Sequence, residues 1–317
     1  MIRTIAKLCA IAVLLSAYLH VAPVFAASPT ITYVSSTGVD TNPCSATQPC
    51  ATLFEALFNL FNGNGSDTGQ VNCLNPPAGI VELAVEFDVR LDVTIDCHAV
   101  LETSSVGVGI AAANNVVRIL NLTISGSPGG GGPAITFAGS GTLILENCAF
   151  ENFSGTALDI EPNGPLNLVI KNSRISNNTA AGVLIKPAAG GSVTATFDGV
   201  TITNNAGGLR TDTTNGAVRV DISNSTINNN ANNGVIAIGG AGGQNVMNLS
   251  RDVIASNGQV GIEVSGTTAG AIVDTTLLDS NTLGALSAVS SGRILTYQNN
   301  RIVGSPGTGF TGTASPN

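Results

Sequence analysis

Tryptophan is absent from the 317 residues; tyrosine occurs three times, histidine twice and methionine twice. Beyond the first 27 residues only Tyr33 and Tyr297 remain, so a broad platform for stacking sugar rings is excluded. Charged residues make up only 10% of the chain, and the helix-favouring Lys, Glu and Met are scarce. Val, Ile, Thr, Gly and Asn abound instead, a balance that points to β structure with many turns. No two acidic residues are adjacent, which removes the simplest carboxylate pair.

The N-terminus is laid out as an export signal over residues 1–26: Arg3 and Lys7, an apolar run from Leu8 to Phe25, then small residues at the exit. Cleavage is expected after Ala26. An uncleaved anchor is the alternative, because about 18 apolar residues just span a bilayer, but Pro23 and the exit residues favour cleavage. No other run is long and apolar enough to span a membrane, so no stable membrane insertion is expected after cleavage, and the product should be secreted or periplasmic. Without Arg3 and Lys7, ten basic residues face twenty acidic ones. That field repels nucleic acid, whose binding rests on Lys and Arg at phosphates.

Five cysteines remain after cleavage, and an exported protein can oxidise them. Pairing sequence neighbours, Cys44 with Cys50 and Cys73 with Cys97, is the economical choice among fifteen connectivities. Loop closure would then contribute about 2.4 and 3.5 kcal/mol. Cys148 is left over, as a buried inert residue or, alternatively, a reactive or intermolecular thiol.

An internal repeat fixes the architecture. Ile124, Phe150, Ile175, Ile202, Ile227, Ile254, Leu278 and Ile302 align at intervals of 26, 25, 27, 25, 27, 24 and 24 residues. Two positions later stand Asn152, Asn177, Asn204 and Asn229, then Ser256 and Ser280. These four asparagines are expected to form a ladder inside a dry bend, each amide donating and accepting along the stack. A small residue and a second alternating run follow, as in Gly182 to Lys186, then Gly-rich turns and a third run, as in Leu168 to Ile170. Three short strands per repeat make one coil, with like strands stacked at about 4.8 Å. The fold class is therefore all-β: a right-handed parallel β-helix, a single-stranded solenoid of about 25 residues per coil. Leucine-rich and glycine-nonapeptide solenoids lack their consensus here, and glycines with β-branched residues interrupt every candidate helical repeat.

Thr52 and Glu55 read as a capping box opening a helix over residues 51–62, with Leu53, Leu57, Leu60 and Phe61 on one face. This helix should cover the N-terminal mouth, whose open strand edges would otherwise recruit other chains. The expected division is signal 1–26, an N-terminal cap with disulfide loop and helix at 27–75, the β-helix at 76–303 and a tail at 304–317.

At this point the chain resembles secreted right-handed parallel β-helix proteins of the pectin-lyase-like superfamily, in particular a small proteobacterial branch. The resemblance is carried by Tyr33-Val-Ser-Ser-Thr-Gly38, Asn42-Pro-Cys-Ser-Ala-Thr-Gln-Pro-Cys50, Ile95-Asp-Cys97, Glu146-Asn-Cys148 and Tyr297-Gln-Asn-Asn-Arg301. It implies the fold and says little of activity. Members that hydrolyse pectin carry Asn-Thr-Asp, an Asp pair, Gly-His-Gly and Arg-Ile-Lys, none of which occurs here. His98 follows a cysteine assigned to a disulfide and reads as a turn residue rather than a general base.

The second run supplies the candidate site. With Leu158, Val183, Leu209, Val235 and Ile262 inward, the outward columns read Asp159, Leu184, Arg210, Ile236, Glu263 and Glu161, Lys186, Asp212, Ile238, Ser265. Such a face is either a solvated surface with weak ion pairs or a groove for an acidic polysaccharide. In the second case Lys186 or Arg210 would bind carboxylates or act as base, and Asp159, Glu161 and Asp212 would hold Ca2+. Glu263 joins the ligand-binding candidates. No other cofactor and no resident metal is expected. The sequence thus favours a non-catalytic surface or matrix protein meeting a polysaccharide or cell-surface partner, with a polysaccharide lyase as the alternative.

Overall fold

A computed structural model of the protein describes residues 30–63, 68–74, 80–82, 89, 92–103, 107–111, 113–127 and 131–315. The expected signal segment lies outside the described residues. Each coil lays down three parallel strands. In one coil these are Pro165–Lys171, Arg174–Ser176 and Ala181–Ile185; in the next they are Ser192–Asp198, Thr201–Thr203 and Gly207–Asp212. Stacking them gives a first and a second sheet, joined by the long strands Asp92–Thr103 and Asn115–Gly126 that run through the corner, and an eight-stranded third sheet.

Register follows the repeat. Ile124, Phe150, Ile175, Ile202, Ile227, Ile254, Leu278 and Ile302 pair in sequence along the second sheet. In the first sheet, Leu143, Leu168, Ala195, Val220, Met247, Ala271 and Ile294 do the same, all essentially inaccessible. These inward columns merge with that of the third sheet into one continuous core. An apolar residue at the same point of every coil excludes water and packs on its counterparts above and below.

Two of the three corners are made by single residues in the left-handed region. Asn147, Asn172, Gly199, Asn224, Arg251 and Thr275 turn the first sheet into the second, and Asn152, Asn177, Asn204, Asn229, Ser256 and Ser280 turn the second into the third, all at positive φ. Asparagine recurs there because its short amide tolerates this conformation better than other non-glycine side chains. This corrects the expected ladder: Asn152, Asn177, Asn204 and Asn229 are exposed, with their role in the backbone bend.

The buried ladder lies one residue further on. Asn178 Nδ2 donates to Asn205 Oδ1 at 2.8 Å, Asn205 to Asn230 at 3.1 Å, Asn230 to Asn257 at 3.0 Å and Asn257 to Asn281 at 2.9 Å. Each accepting oxygen also takes the backbone N–H of the asparagine one coil before. The remaining amide proton reaches the carbonyl of Phe150, Ile175, Ile202, Ile227 or Ile254. A fully satisfied column of this kind is what allows polar groups inside the core. Room for it is left by glycine: a Cβ on Gly234 would stand 2.7 Å from Asn257 Nδ2.

A second buried polar column runs under the first corner. Ser173, Ser225 and Thr276 each donate their hydroxyl to the carbonyl two residues earlier, while Ser173 and Ser225 accept the N–H of Cys148 and Val200. Cys148 occupies the same column. Its sulfur lies 3.3 Å from both the Ile119 and Glu146 carbonyls, which share its one proton, and burial pushes the thiol up to about 11, which disfavours the thiolate.

Helix α1, Leu53–Gly63, starts on the expected cap, with the Glu55 amide donating to Thr52 Oγ1 at 3.2 Å. The Thr52 and Ala51 amides are taken instead by Asp40 Oδ1, both at 2.9 Å. Leu53, Ala56, Leu57 and Leu60 face inward over Thr30–Val34 and Thr68–Cys73. Those two strands pair with each other, and Thr68–Cys73 pairs in turn with Asp92–Thr103, so the solenoid begins inside the expected cap. Disulfides join Cys44 to Cys50 and Cys73 to Cys97. The tail folds back, Gly312–Thr313 pairing with Arg293–Thr296. No helix among the described residues is long and apolar enough to cross a membrane.

Candidate functional site

The third sheet places Asp159, Leu184, Arg210, Ile236 and Glu263 in one outward column, each one coil from the next. Strand alternation dictates this: Leu158, Val183, Leu209, Val235 and Ile262 point inward, so their successors point out. In the neighbouring column Asp212 pairs with Ile238 and Ile238 with Ser265, and the Lys186 amide donates to the Ile160 carbonyl, which sets Lys186 one coil beyond Glu161.

The charged groups are not equivalent. Arg210 lies 3.4 Å from Asp212 and keeps about half its side chain exposed. Asp212 is only 7% exposed, and its Oδ1 accepts the Thr214 hydroxyl at 2.6 Å and the Thr214 amide at 3.0 Å. Burial pushes this carboxyl up, but the Thr214 hydroxyl and amide and the Arg210 guanidinium outweigh it and hold it below the usual carboxylate range. Asp212 therefore closes a turn and braces Arg210, and is not the open cation ligand expected from alternation. Asp159 behaves oppositely. Burial, then the charge of Glu161, raise its carboxyl, Lys186 opposes them, and Oδ1 is buried without a partner. Glu263 accepts a hydrogen bond from Asn233 Nδ2 at 3.1 Å, and Asn233 Oδ1 takes the Val260 amide.

Beside Arg210 the sheet is indented. A groove of about 540 Å³ has a floor of Ala180, Ala181, Ala206, Gly207 and Gly208, with Arg210, Asn232, Asn233, Ile236, Gln259 and Glu263 around it. The floor is low because the residues that follow the second corner there are alanine and glycine. Of the residues around it, Arg210 and Glu263 were readable as outward-facing from alternation. Asn232, Asn233 and Gln259 were not, since they follow the bend where no period applies; their only signal is polar side chains just after the corner. Lys186, Glu161 and Asp159 lie outside this groove. Among the described residues, no three of His, Cys, Asp and Glu come together in a way that could hold a metal ion. His98 is exposed, 4.0 Å from Asp96, at the irregular corner between two stretches of one strand.

No curated protein matches the chain by sequence. Among solved structures, pectate lyase Pel9A superposes with a TM-score of 0.63 at 15% identity, covering 91% of this chain and 79% of its own. The A-module of the Azotobacter vinelandii mannuronan C-5 epimerase AlgE6 gives a TM-score of 0.46 at 14% identity, covering 83% of this chain and 94% of its own. The family model for a right handed beta helix region matches residues 106–278, within the stretch of stacked coils. By that match and by its in-register coils, the chain belongs to the right-handed parallel β-helix family.

Proposed function

We propose that this protein is an exported, non-catalytic β-helix that binds an extended polysaccharide across the outer face of its third sheet. The groove beside Arg210 is the observation that carries the reading. Its floor of small residues admits a chain close to the backbone, while amides at Asn232, Asn233 and Gln259 offer hydrogen bonds in both senses to hydroxyls. Arg210 is held by Asp212 with part of its guanidinium turned to solvent, where a uronate carboxylate would be met by a planar fork. A pectate lyase of the same fold is the precedent for a polysaccharide ligand. The two disulfides fit an oxidising compartment.

The lyase alternative needs a base beside a neutralised carboxylate and acids gathered for calcium. Asp212 is consumed by Thr214 and Arg210, and Asp159 and Glu161 stand beyond the groove. Affinity electrophoresis against uronic-acid and neutral polysaccharides tests the proposal. Retardation of the parent protein by a polysaccharide, weakened about tenfold in Arg210→Ala, on the order of 1.4 kcal/mol, is the expected result. Formation of an ultraviolet-absorbing unsaturated uronate, lost in a Lys186→Ala, Arg210→Ala double variant, would establish the lyase instead.

A further inference from the structure

The last coil turns differently from those before it. Between Val273 and Leu277 the first corner holds three residues, 274–276, but their partners Thr296 and Arg301 are separated by four, 297–300. The preceding corner, 250–252, also holds three. The insertion brings Gln298 to a φ of 67° and leaves Tyr297 in the outward column that Ser223, Ser250 and Asp274 fill in earlier coils. Tyr297 is 40% exposed. Because Gly312–Thr313 adds to the strand before this corner, residues 313–315 run alongside it. The space between is a cleft of about 720 Å³, larger than the groove on the third sheet, lined by Asp274, Tyr297, Gln298, Asn299, Thr313 and Ser315.

One aromatic face beside a carboxylate, two amides and hydroxyls is a small recognition surface, and no cation lines it. The Asp274 carboxylate is anchored by Asn299 Nδ2, Thr275 Oγ1 and Ser250 Oγ. We propose that this cleft is a second ligand site that takes one pyranose unit of a neutral glycan, its apolar face on Tyr297 and its hydroxyls on Asp274 and Gln298, with Asn299, engaged by Asp274 and Thr275, holding the carboxylate in place. An acidic sugar is disfavoured there because Asp274 would repel it with no lining cation to compensate. The choice of a sugar rests on the polysaccharide reading above; the geometry of the cleft does not.

Without tryptophan, the intrinsic fluorescence is that of tyrosine, and beyond the first 27 residues Tyr297 shares it only with Tyr33, so a ligand on its ring is reported directly. The purified protein is titrated with xylohexaose, cellohexaose and hexagalacturonate, following fluorescence and heat, alongside Tyr297→Ala and Arg210→Ala, each checked by circular dichroism. The expected result is a saturable response to a neutral hexasaccharide, retained in Arg210→Ala and weakened about tenfold or more in Tyr297→Ala. Silence of the folded parent toward both neutral sugars, or unchanged heat of binding in Tyr297→Ala, overturns the cleft site. A response to hexagalacturonate alone, lost in Arg210→Ala, likewise overturns the cleft while leaving the third-sheet groove standing. A Tyr297-dependent neutral response without any effect of Arg210 on polysaccharide binding supports the cleft and sinks the groove.

Discussion

Asp252 shows how much a single buried atom can tell. It sits in the column of Ser173, Ser225 and Thr276, 2% exposed, accepting the Ser225 amide at 2.8 Å, while its Oδ2 has no partner. Burial pushes its carboxyl up to about 7, against the pull of the Ser225 and Ser250 amides and Arg251, with Asp198 adding to the rise. The native state therefore holds a proton that the unfolded chain has released, and stability falls as pH rises from the ordinary carboxylate range to about 7. The loss levels off above that and amounts to at most about 4 kcal/mol. Asp252→Asn keeps the acceptor and adds a neutral donor, as the hydroxyls provide in neighbouring coils. The expected outcome is a higher melting temperature than the parent at ~pH 8 and nearly the same at ~pH 4. Equal differences at both pH values would show that Asp252 does not titrate in this way. Nothing in the sequence marked this residue, because Arg-Asp-Val at a corner carries no period; burial alone reveals it.

The corner is where sequence reading and structure part by one residue. Counting from Ile175 or Ile202, the repeat of Asn two positions later was plain, and its meaning was a left-handed bend rather than a buried ladder. The true ladder was hidden because Asn178, Asn205, Asn230, Asn257 and Asn281 directly follow the bend, and Phe153 breaks the pattern at its start. Strand alternation does not continue through a left-handed residue, so the inward face is reset there. The two positions should respond in opposite ways. Asn204→Gly is expected to change stability by under about 1 kcal/mol, since glycine adopts this conformation freely. Asn205→Leu strands the Asn178 amides and the Ile175 carbonyl and is expected to cost roughly 3 kcal/mol or more. Urea melts of both variants check this. Similar midpoints would mean the ladder is not what holds the bend. By contrast, the inward apolar columns and helix α1 were legible from period and cap, because both obey local rules that tertiary packing reinforces.

Over the whole molecule, the fold gives a stiff rod in which each coil is held by its neighbours and α1 covers one end. The broad faces follow from alternation and were readable to the residue in the third sheet: Asp159, Arg210 and Glu263 fall where they were expected. What alternation does not give is depth. The groove arises from small residues after the second corner, and Asp212 is withdrawn from the face by Thr214, a contact between residues two apart that no period encodes. The central claim is that this face binds a polysaccharide without cleaving it. Hydrogen–deuterium exchange of the protein with and without a retarding uronic-acid polysaccharide tests it directly, with the length of the recovered polymer measured in parallel. Protection confined to the corner amides at Gly207, Asn232, Asn233 and Gln259, with polymer length unchanged, is the result this account predicts. Protection elsewhere only, none at all, or a shortened polymer would contradict it.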